Sequence, residues 1–418
     1  MARVWIVNPF DPLPGGDEQS GRYATLSRML RDAGHAVTWW TASFSHRFKR
    51  EIDPAVASEA ARCENIDIRL ISTRAYERNI SVARILSHCD YARGFAHAAA
   101  TEPAPDVIIV STPPPEAAAT AARVARQQGA KLIVDVQDFW IDPFRKVLPR
   151  GVRWAWRAIL FPWIRALRTA YAAADAVVGV AGGYADEPRR FGRPDYRRVV
   201  IPLGAPLDEI DAAIRSGRSL LGDKPAGAIR VIYSGSLAWS YDVMTIARVA
   251  ADFHAMGRAP FDRVRFVISG RGELEAELRK LTGDLPNVTF LGFASFADWA
   301  ATLAQCDIGW NAIRPGIDIL LPNKIFFYWS AGLAVLNSIP GECADWVTRT
   351  ESGANYPPGD ANAAGETLER MASDPTALER CKAAARRAAE EIWDRRRLYK
   401  PYVQLVKDLS SDHKGRDA

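Results

Sequence analysis

"IRVIYSGS", residues 229–236, is an apolar run of strand length that ends in a Ser-Gly turn, and a helical pattern, "YDVMTIARVAADFHAMG" (241–257), follows it. The same order opens the chain. "VWIV" (4–7) leads into a Gly-rich polar loop, then "RYATLSRMLRDAG" (22–34) carries apolar residues at helical spacing and is closed by Gly34. Residue 229 is therefore a restart. Downstream of it, "VRFVISGRG" precedes "ELEAELRKL", "VTFLGF" precedes "FADWAATLAQ", and "DIGWNAI" precedes "LPNKIFFYWSAG" (321–332). Upstream, "HAVTWWTA", "DVIIVST", "KLIVDVQD", "DAVVGVA" and "RRVVIPLG" are strand-like runs separated by loop and helical stretches. Continuous apolar strands alternating with helices predict parallel sheets covered on both faces. The expected fold class is α/β, with two Rossmann-like, doubly wound domains at 1–205 and 206–390. A C-terminal helix and tail, 391–418, can return to the first domain. The polar stretch between the halves, 203–227, reads as a turn-rich linker. Ligands of such sheets bind outside the carboxyl ends of the strands, so the site is expected in a cleft between the two domains.

Composition narrows the function classes. With 418 residues, 48% hydrophobic, 25% charged and a net charge of +5, the chain reads as a globular protein of two or three domains with no general attraction to polyanions. No nucleic-acid motif is present. No apolar run reaches the ~18 residues that span a bilayer, and the first residues do not read as a signal peptide. Cys63, Cys89, Cys306, Cys343 and Cys381 are scattered without metal-type spacing and read as reduced thiols of a cytoplasmic protein.

The loops at the strand ends hold the candidate chemistry. In the first half these are Gly15–Gly16, whose backbone N–H groups can approach an oxyanion, and Gln137–Asp138 after "KLIVDV". In the second they are Gly235–Ser236, Gly270–Arg271 in "SGRGE", the loop holding Arg314, and "PGE" ending at Glu342. Pro322 presets a helical first turn and Asn323 can satisfy backbone donors there, so Lys324 sits near a helix start. Lys324 and Arg314 are the cations best placed for a diphosphate. An ordinary turn is the competing reading for each glycine pair, a solvated surface charge for each cation, and an N-cap for Asp138.

The motifs "PGG" with "LRDAGHAVTWWT", "AYAAADAVVGVAGGYADEPRRFG" with "RRVVIPLGAP", "VIYSGSL", "FVISGRGELEAELRKL", "NVTFLGF", "CDIGW" and "LPNKIFFYWSAGLAVLNSIPGE" stand in one order over nearly the whole chain. Together they resemble the GT-B glycosyltransferases of the retaining family-4 type. The resemblance implies a nucleotide-sugar donor in the C-terminal half and a saccharide acceptor in the N-terminal half. It implies transfer with retained anomeric configuration, no cofactor, and no metal. Lys324, Arg314 and the backbone at Gly235 and Gly15–Gly16 would then meet the leaving diphosphate, with Gly270 and Arg271 beside them, while Gln137 and Asp138 orient the acceptor or stabilise the reacting carbon. The family commonly carries two glutamates eight positions apart. Here Phe327 stands at the second and Ile319, beside Asp318, at the first. Ser236 and Tyr241 align with its customary Arg and Lys. Glu342 or Asp318 can take over the ribose contact. Otherwise Phe327 points to a donor with fewer ribose hydroxyls, such as a dTDP-sugar, or it is simply core, continuing "IFFYW" into the domain interior. A non-catalytic GT-B relative and a sugar-nucleotide epimerase are the alternatives.

Residues 143–174 contain seven basic residues, three Trp and no acid. On one continuous helix, Arg150, Arg153, Arg157, Arg165 and Arg168 share a face, and Trp154 and Phe161 fall on the same side. Basic residues with interfacial aromatics suit an anionic leaflet. The expected contact is peripheral, on the inner face of the membrane, through Arg150, Arg153, Trp154 and Arg157. It would fit a lipid-linked saccharide acceptor in cell-surface polysaccharide or glycoconjugate assembly. The bland alternative is an amphipathic helix packed on its own sheet.

Overall fold

The computed structural model describes residues 1–14 and 21–414. The chain divides into two compact units, 1–202 with 398–418, and 203–397.

The first unit is built on seven parallel strands: β1 (Arg3–Val7), β2 (Ala36–Ala42), β3 (Asp67–Ile71), β4 (Val107–Thr112), β5 (Lys131–Val136), β6 (Ala176–Gly179) and β7 (Arg197–Val200). Their order in the sheet is β3-β2-β1-β4-β5-β6-β7. β1 lies at the centre of the doubly wound pattern, with Val4 opposite both Val37 and Val107. The strands are nearly all apolar because helices cover both faces. Val4, Ile6, Val107, Ile109 and Ile133 are fully buried, and Tyr399, in the turn before the terminal helix Lys400–Lys414, completes their cluster with Tyr402, Leu405 and Val406 of that helix. Each such side chain contributes roughly 1.5–3 kcal/mol by leaving water. One buried ion pair fastens this arrangement. Arg22 Nε donates to Asp135 Oδ2 at 2.8 Å, and the guanidinium lies over the rings of Tyr399 and Tyr402.

The second unit has six parallel strands: β8 (Ile229–Ser234), β9 (Val264–Ser269), β10 (Val288–Gly292), β11 (Ile308–Asn311), β12 (Ala334–Asn337) and β13 (Gly353–Asn355). Their order, β10-β9-β8-β11-β12-β13, repeats the central pattern of the first sheet. Val231 pairs with Phe266 on one side and Ile308 on the other, and Tyr233, Ile268, Trp310 and Leu336 fill the core.

Two expectations are corrected. The stretch 203–227 is no simple linker, because Leu207–Ser216 is a helix. Ile210 and Ala213 are buried at helical spacing, Asp208 and Glu209 occupy its first turn and Arg215 its last, as the helix dipole favours. Arg386 holds Asp211 through two bonds of 2.8 Å. The basic tract is likewise no continuous helix. It breaks into helix Ile141–Val147, a turn at 149–152, short turns Arg153–Ala155 and Trp156–Ile159, and helix Phe161–Ala173. Pro149 and Gly151 fall in the turn, and Pro162 lacks the N–H that a helix interior requires, so it starts a new helix. Arg150 and Arg153 therefore share no helical face with Arg165 and Arg168.

Candidate functional site

In the second unit, two glycines set the geometry at the carboxyl ends of β8 and β9. Gly235 has φ +141°, and its N–H donates to Ser269 O at 2.9 Å. Gly270 has φ +152°, and a Cβ there would stand 1.8 Å from Gly235 O. Only glycine allows the two loops to touch. The stitching continues along them. Leu237 N–H donates to Arg271 O at 2.9 Å, Trp239 N–H to Glu273 Oε1 at 2.8 Å, and Arg314 N–H to Ser240 O at 3.2 Å. The loops after β8, β9 and β11 thus form one connected rim.

Lys324 stands beside that rim, in the first turn of helix Asn323–Ser330, with Pro322 at its N-cap. Its Nζ lies 4.3 Å from the Tyr233 ring centre and 3.9 Å from that of Tyr241, and it donates to Tyr233 Oη at 3.3 Å. A Cβ on Gly235 would be 3.3 Å from the same Nζ. Tyr241, at the position of the family's customary lysine, is thus half of the cradle for a lysine supplied by another element. No carboxylate among the described residues pairs with Lys324. Burial lowers its ammonium to about pKa 7. The outer part of the residue stays half-exposed. A desolvated cation at the positive end of a helix, with π faces and no acid, is arranged for an anion that arrives from outside.

The other C-terminal candidates are placed less tightly. Arg314 is half-buried over Trp239, 5.3 Å from its ring centre, and Arg271 is exposed over Phe293. Ser236 accepts at its carbonyl from Tyr233 Oη at 2.7 Å. Asp318 and Asn323 are exposed. Glu342 begins helix Glu342–Arg349 directly after Gly341, whose φ is +68°. An asparagine ladder, buried at Asn311 and Asn337 and exposed at Asn355, fixes the approach to it. Asn311 Nδ2 donates to Asn337 Oδ1, Asn337 Nδ2 to Asn355 Oδ1, both at 2.8 Å, and Ile339 N–H returns to Asn337 Oδ1 at 3.1 Å.

Phe327 requires a correction. It is 4% exposed and meets Trp299 edge to face at 5.2 Å between ring centres, while Trp299 Nε1 donates to Ser234 Oγ at 2.6 Å. Phe327 is a core residue, and it carries no argument about a nucleotide's ribose or for dTDP.

In the first unit, Gly15 and Gly16 lie outside the described residues. Gln137 Nε2 donates to Tyr23 Oη at 2.9 Å, and Tyr23 Oη donates in turn to Asp135 Oδ2 at 2.9 Å, so the amide is anchored to the buried Arg22–Asp135 pair. Asp138 caps no helix. Its Oδ1 accepts from Phe139 N–H at 2.8 Å, with Tyr184 Oη at 3.5 Å. The protein mass around it raises its carboxyl above the ordinary range, to about 6, while its open face, more than a third of the residue, moderates that effect.

Sequence reasoning missed Tyr233 as a cradle for Lys324, and it left the segment 43–105 unread. The signal for Tyr233 was its place at the end of a buried strand, where a hydroxyl must find a partner.

A family model described as a glycosyl transferase 4-like domain matches residues 20–204, and one described as glycosyl transferases group 1 matches residues 228–374. A search of curated proteins finds no match. Among solved structures, Anabaena HepE in complex with UDP is 16% identical at a TM-score of 0.69, with 98% of this chain and 100% of that chain covered. Sucrose-phosphate synthase from Thermosynechococcus elongatus is also 16% identical at 0.69, covering 99% and 100%. WaaG, a glycosyltransferase involved in lipopolysaccharide biosynthesis, is 12% identical at 0.65, covering 96% and 99%. With both halves matched in order by glycosyltransferase models, and two Rossmann-like sheets of the kind these structures share, the chain belongs to the GT-B glycosyltransferases of family-4 type.

Proposed function

We propose that the chain transfers a sugar from a nucleoside-diphosphate donor to a saccharide acceptor with retention of configuration. The observation that carries this reading is the Lys324 ammonium, held over Tyr233 and Tyr241 beside Gly235 with no carboxylate paired to it among the described residues. The reading assigns the donor to the carboxyl edge of the second unit's sheet and the acceptor to that of the first. UDP in the HepE structure supports a nucleotide donor, and the base is left open. As the donor's C–O bond breaks, negative charge grows on the leaving diphosphate, and Lys324 and Arg314 stabilise it, whereas the Gly235 N–H is already donated to Ser269 O. The diphosphate charge is met by these groups without a metal ion. The acceptor hydroxyl passes its proton to the departing phosphate oxygen, and Asp138 orients the acceptor or stabilises the electron-poor anomeric carbon.

The acceptor in this proposal is a lipid-linked saccharide of cell-surface polysaccharide or glycoconjugate assembly, reached by peripheral attachment to the inner face of the membrane. No helix among the described residues is long and apolar enough to cross a membrane. Trp154 is 85% and Phe161 54% exposed, and Arg150, Arg153 and Arg157 are exposed around them. A cavity of about 390 Å³, lined by Ile141, Trp156, Arg157, Phe161 and Phe191 among others, adjoins this segment. Exposed aromatics beside arginines suit an anionic interface even without a common helical face. Incubation of the protein with a panel of nucleotide-sugars and lipid-linked saccharides, following nucleoside diphosphate release and the anomeric configuration of the product, tests the whole reading. No release from any donor would reject it.

A further inference from the structure

A second group of cations in the first unit has no role in the reaction as described. It comes from the loops after β1, β2, β3 and β5. Arg84 is in the first turn of helix Val82–Ala99, where Ser81 Oγ accepts from its N–H at 3.2 Å. Its guanidinium lies 5.8 Å from the ring centre of Phe10 and 5.1 Å from that of Trp140. Nη1 donates to Asn79 O at 2.8 Å and Nε to His88 Nε2 at 3.4 Å. Lys49, at φ +55° in the turn between the short strands Phe44–Ser45 and Arg50–Glu51, donates to the side chain of the same Asn79 at 2.8 Å. Its Nζ is 4.4 Å from the Tyr76 ring centre and 3.4 Å from His46 Nδ1.

Among the described residues no carboxylate pairs with Arg84 or Lys49. The nearest acids act on Arg84 only at longer range, through Asp138 and Glu116. Burial, reinforced by these cations, drives both His46 and His88 down to about 3, so neither histidine adds charge at neutral pH. Burial also lowers Arg84, and it lowers Lys49 to about 8, with Arg84 adding its repulsion. Trp140 Nε1 is buried in the same cluster without a hydrogen-bond partner among the described residues, and His88 Nδ1 faces the Glu116 carboxyl, with Oε2 at 3.9 Å. Two partly desolvated cations repel each other, Arg84 at the positive end of a helix, next to the unpaired indole N–H of Trp140. Each of these features costs free energy in the unliganded protein, and one bound oxyanion offsets them together.

We propose that this cluster binds an oxyanion carried by the acceptor, so that the acceptor is an anionic saccharide held through Arg84 and Lys49. This rests on the first unit being the acceptor side. The oxyanion is a phosphate ester or a sugar carboxylate, and the two sources call for different probes. Calorimetric titration of the full-length protein with glucose 6-phosphate, glucuronate and glucose separates them. The expected result is binding of at least one anionic sugar at least about tenfold tighter than glucose, with Arg84→Gln and Lys49→Gln each losing about tenfold of that preference. Binding of glucose 6-phosphate alone assigns the site to phosphate, and of glucuronate alone to carboxylate. Equal binding of all three sugars, or no binding of either anion, overturns the proposal on wild-type protein, whether or not the variants fold. Unchanged preference in folded variants overturns it as well. UDP, GDP and dTDP titrated into the same samples keep the two readings apart. Nucleotide binding without anionic-sugar preference defeats this inference and leaves the transferase intact, whereas loss of all nucleotide binding defeats the transferase reading itself.

Discussion

Replacing Lys324 by methionine keeps the length of the side chain and removes its charge. In the wild type, Nζ has two tyrosine rings, one hydroxyl and no paired carboxylate, so a donor diphosphate would be its first strong counter-charge. A hydrogen bond to a charged group contributes about 1.5–3 kcal/mol, so the loss in nucleoside diphosphate affinity should be roughly tenfold to 150-fold. The pH dependence is more diagnostic. The free ammonium titrates at about 7, and bound anion must raise that value. Above about pH 7 the protein takes up a proton as it binds, and affinity should fall about tenfold per pH unit until the pKa of the complex is reached. Isothermal calorimetry with UDP, GDP and dTDP, run in two buffers of different ionisation enthalpy, reads both quantities. Lys324→Met should bind more weakly, with no proton uptake from this site. The unliganded protein gives a check of opposite sign. Lys324 has a lower pKa folded than unfolded, so its burial destabilises the fold fully below about pH 7, and the penalty fades as pH rises toward the unfolded value. Lys324→Met should therefore raise Tm near neutral pH, and the gain should shrink in alkali. Wild-type affinity that is flat with pH, together with equal affinity in the variant, would refute the reasoning.

Further outcomes are expected elsewhere. Because Asp138 is raised to about 6 and is assigned a role in its ionised form, kcat/KM should fall as pH drops through that value. Asp138→Asn should abolish this acid limb and lower kcat at least about tenfold, and a limb that survives in the variant removes Asp138 from the reaction. Asp135→Asn leaves Arg22 buried without its counter-charge, which should cost about 3–5 kcal/mol in urea unfolding. A loss below about 1 kcal/mol would show that the tyrosines alone satisfy the guanidinium. Trp154→Ser with Arg150, Arg153 and Arg157 each changed to Glu should release the protein from anionic vesicles. Cosedimentation equal to wild type would end the membrane reading.

The two sheets were legible because buried parallel strands such as "VIIVST" and "IRVIYS" are uninterrupted apolar runs, and a glycine follows several of the helices. The helix Leu207–Ser216 hid behind polar neighbours, although Leu207, Ile210 and Ala213 keep its spacing. Lys324 was visible as a cation at a helix start. Its cradle was not, because Tyr233 and Tyr241 lie more than eighty residues upstream and meet it only through the sheet. Phe327 shows the converse difficulty. Family position placed it at the ligand, whereas its own apolarity, continuous with "IFFYW", placed it in the core, and the packing against Trp299 decides for the core. Arg84 and Lys49 gave no local sign at all, since a surface arginine and a desolvated one look alike until the loops that enclose them are assembled.

The terminal helix Lys400–Lys414 has a consequence for how the protein is made. Tyr399 just before it and its own Tyr402 cover Arg22, and Leu405 and Val406 close a cluster that includes Val4 and Ile6, so strand β1 waits for residues 399–406. During translation the N-terminal unit must stand with an open apolar face while residues 203–397 are made. That interval exposes it to aggregation and to chaperone capture. A message truncated before residue 398 would release a chain whose second unit is whole and whose first is not. Quality control would thus read the presence of residues 398–414 from the stability of the unit that begins with β1.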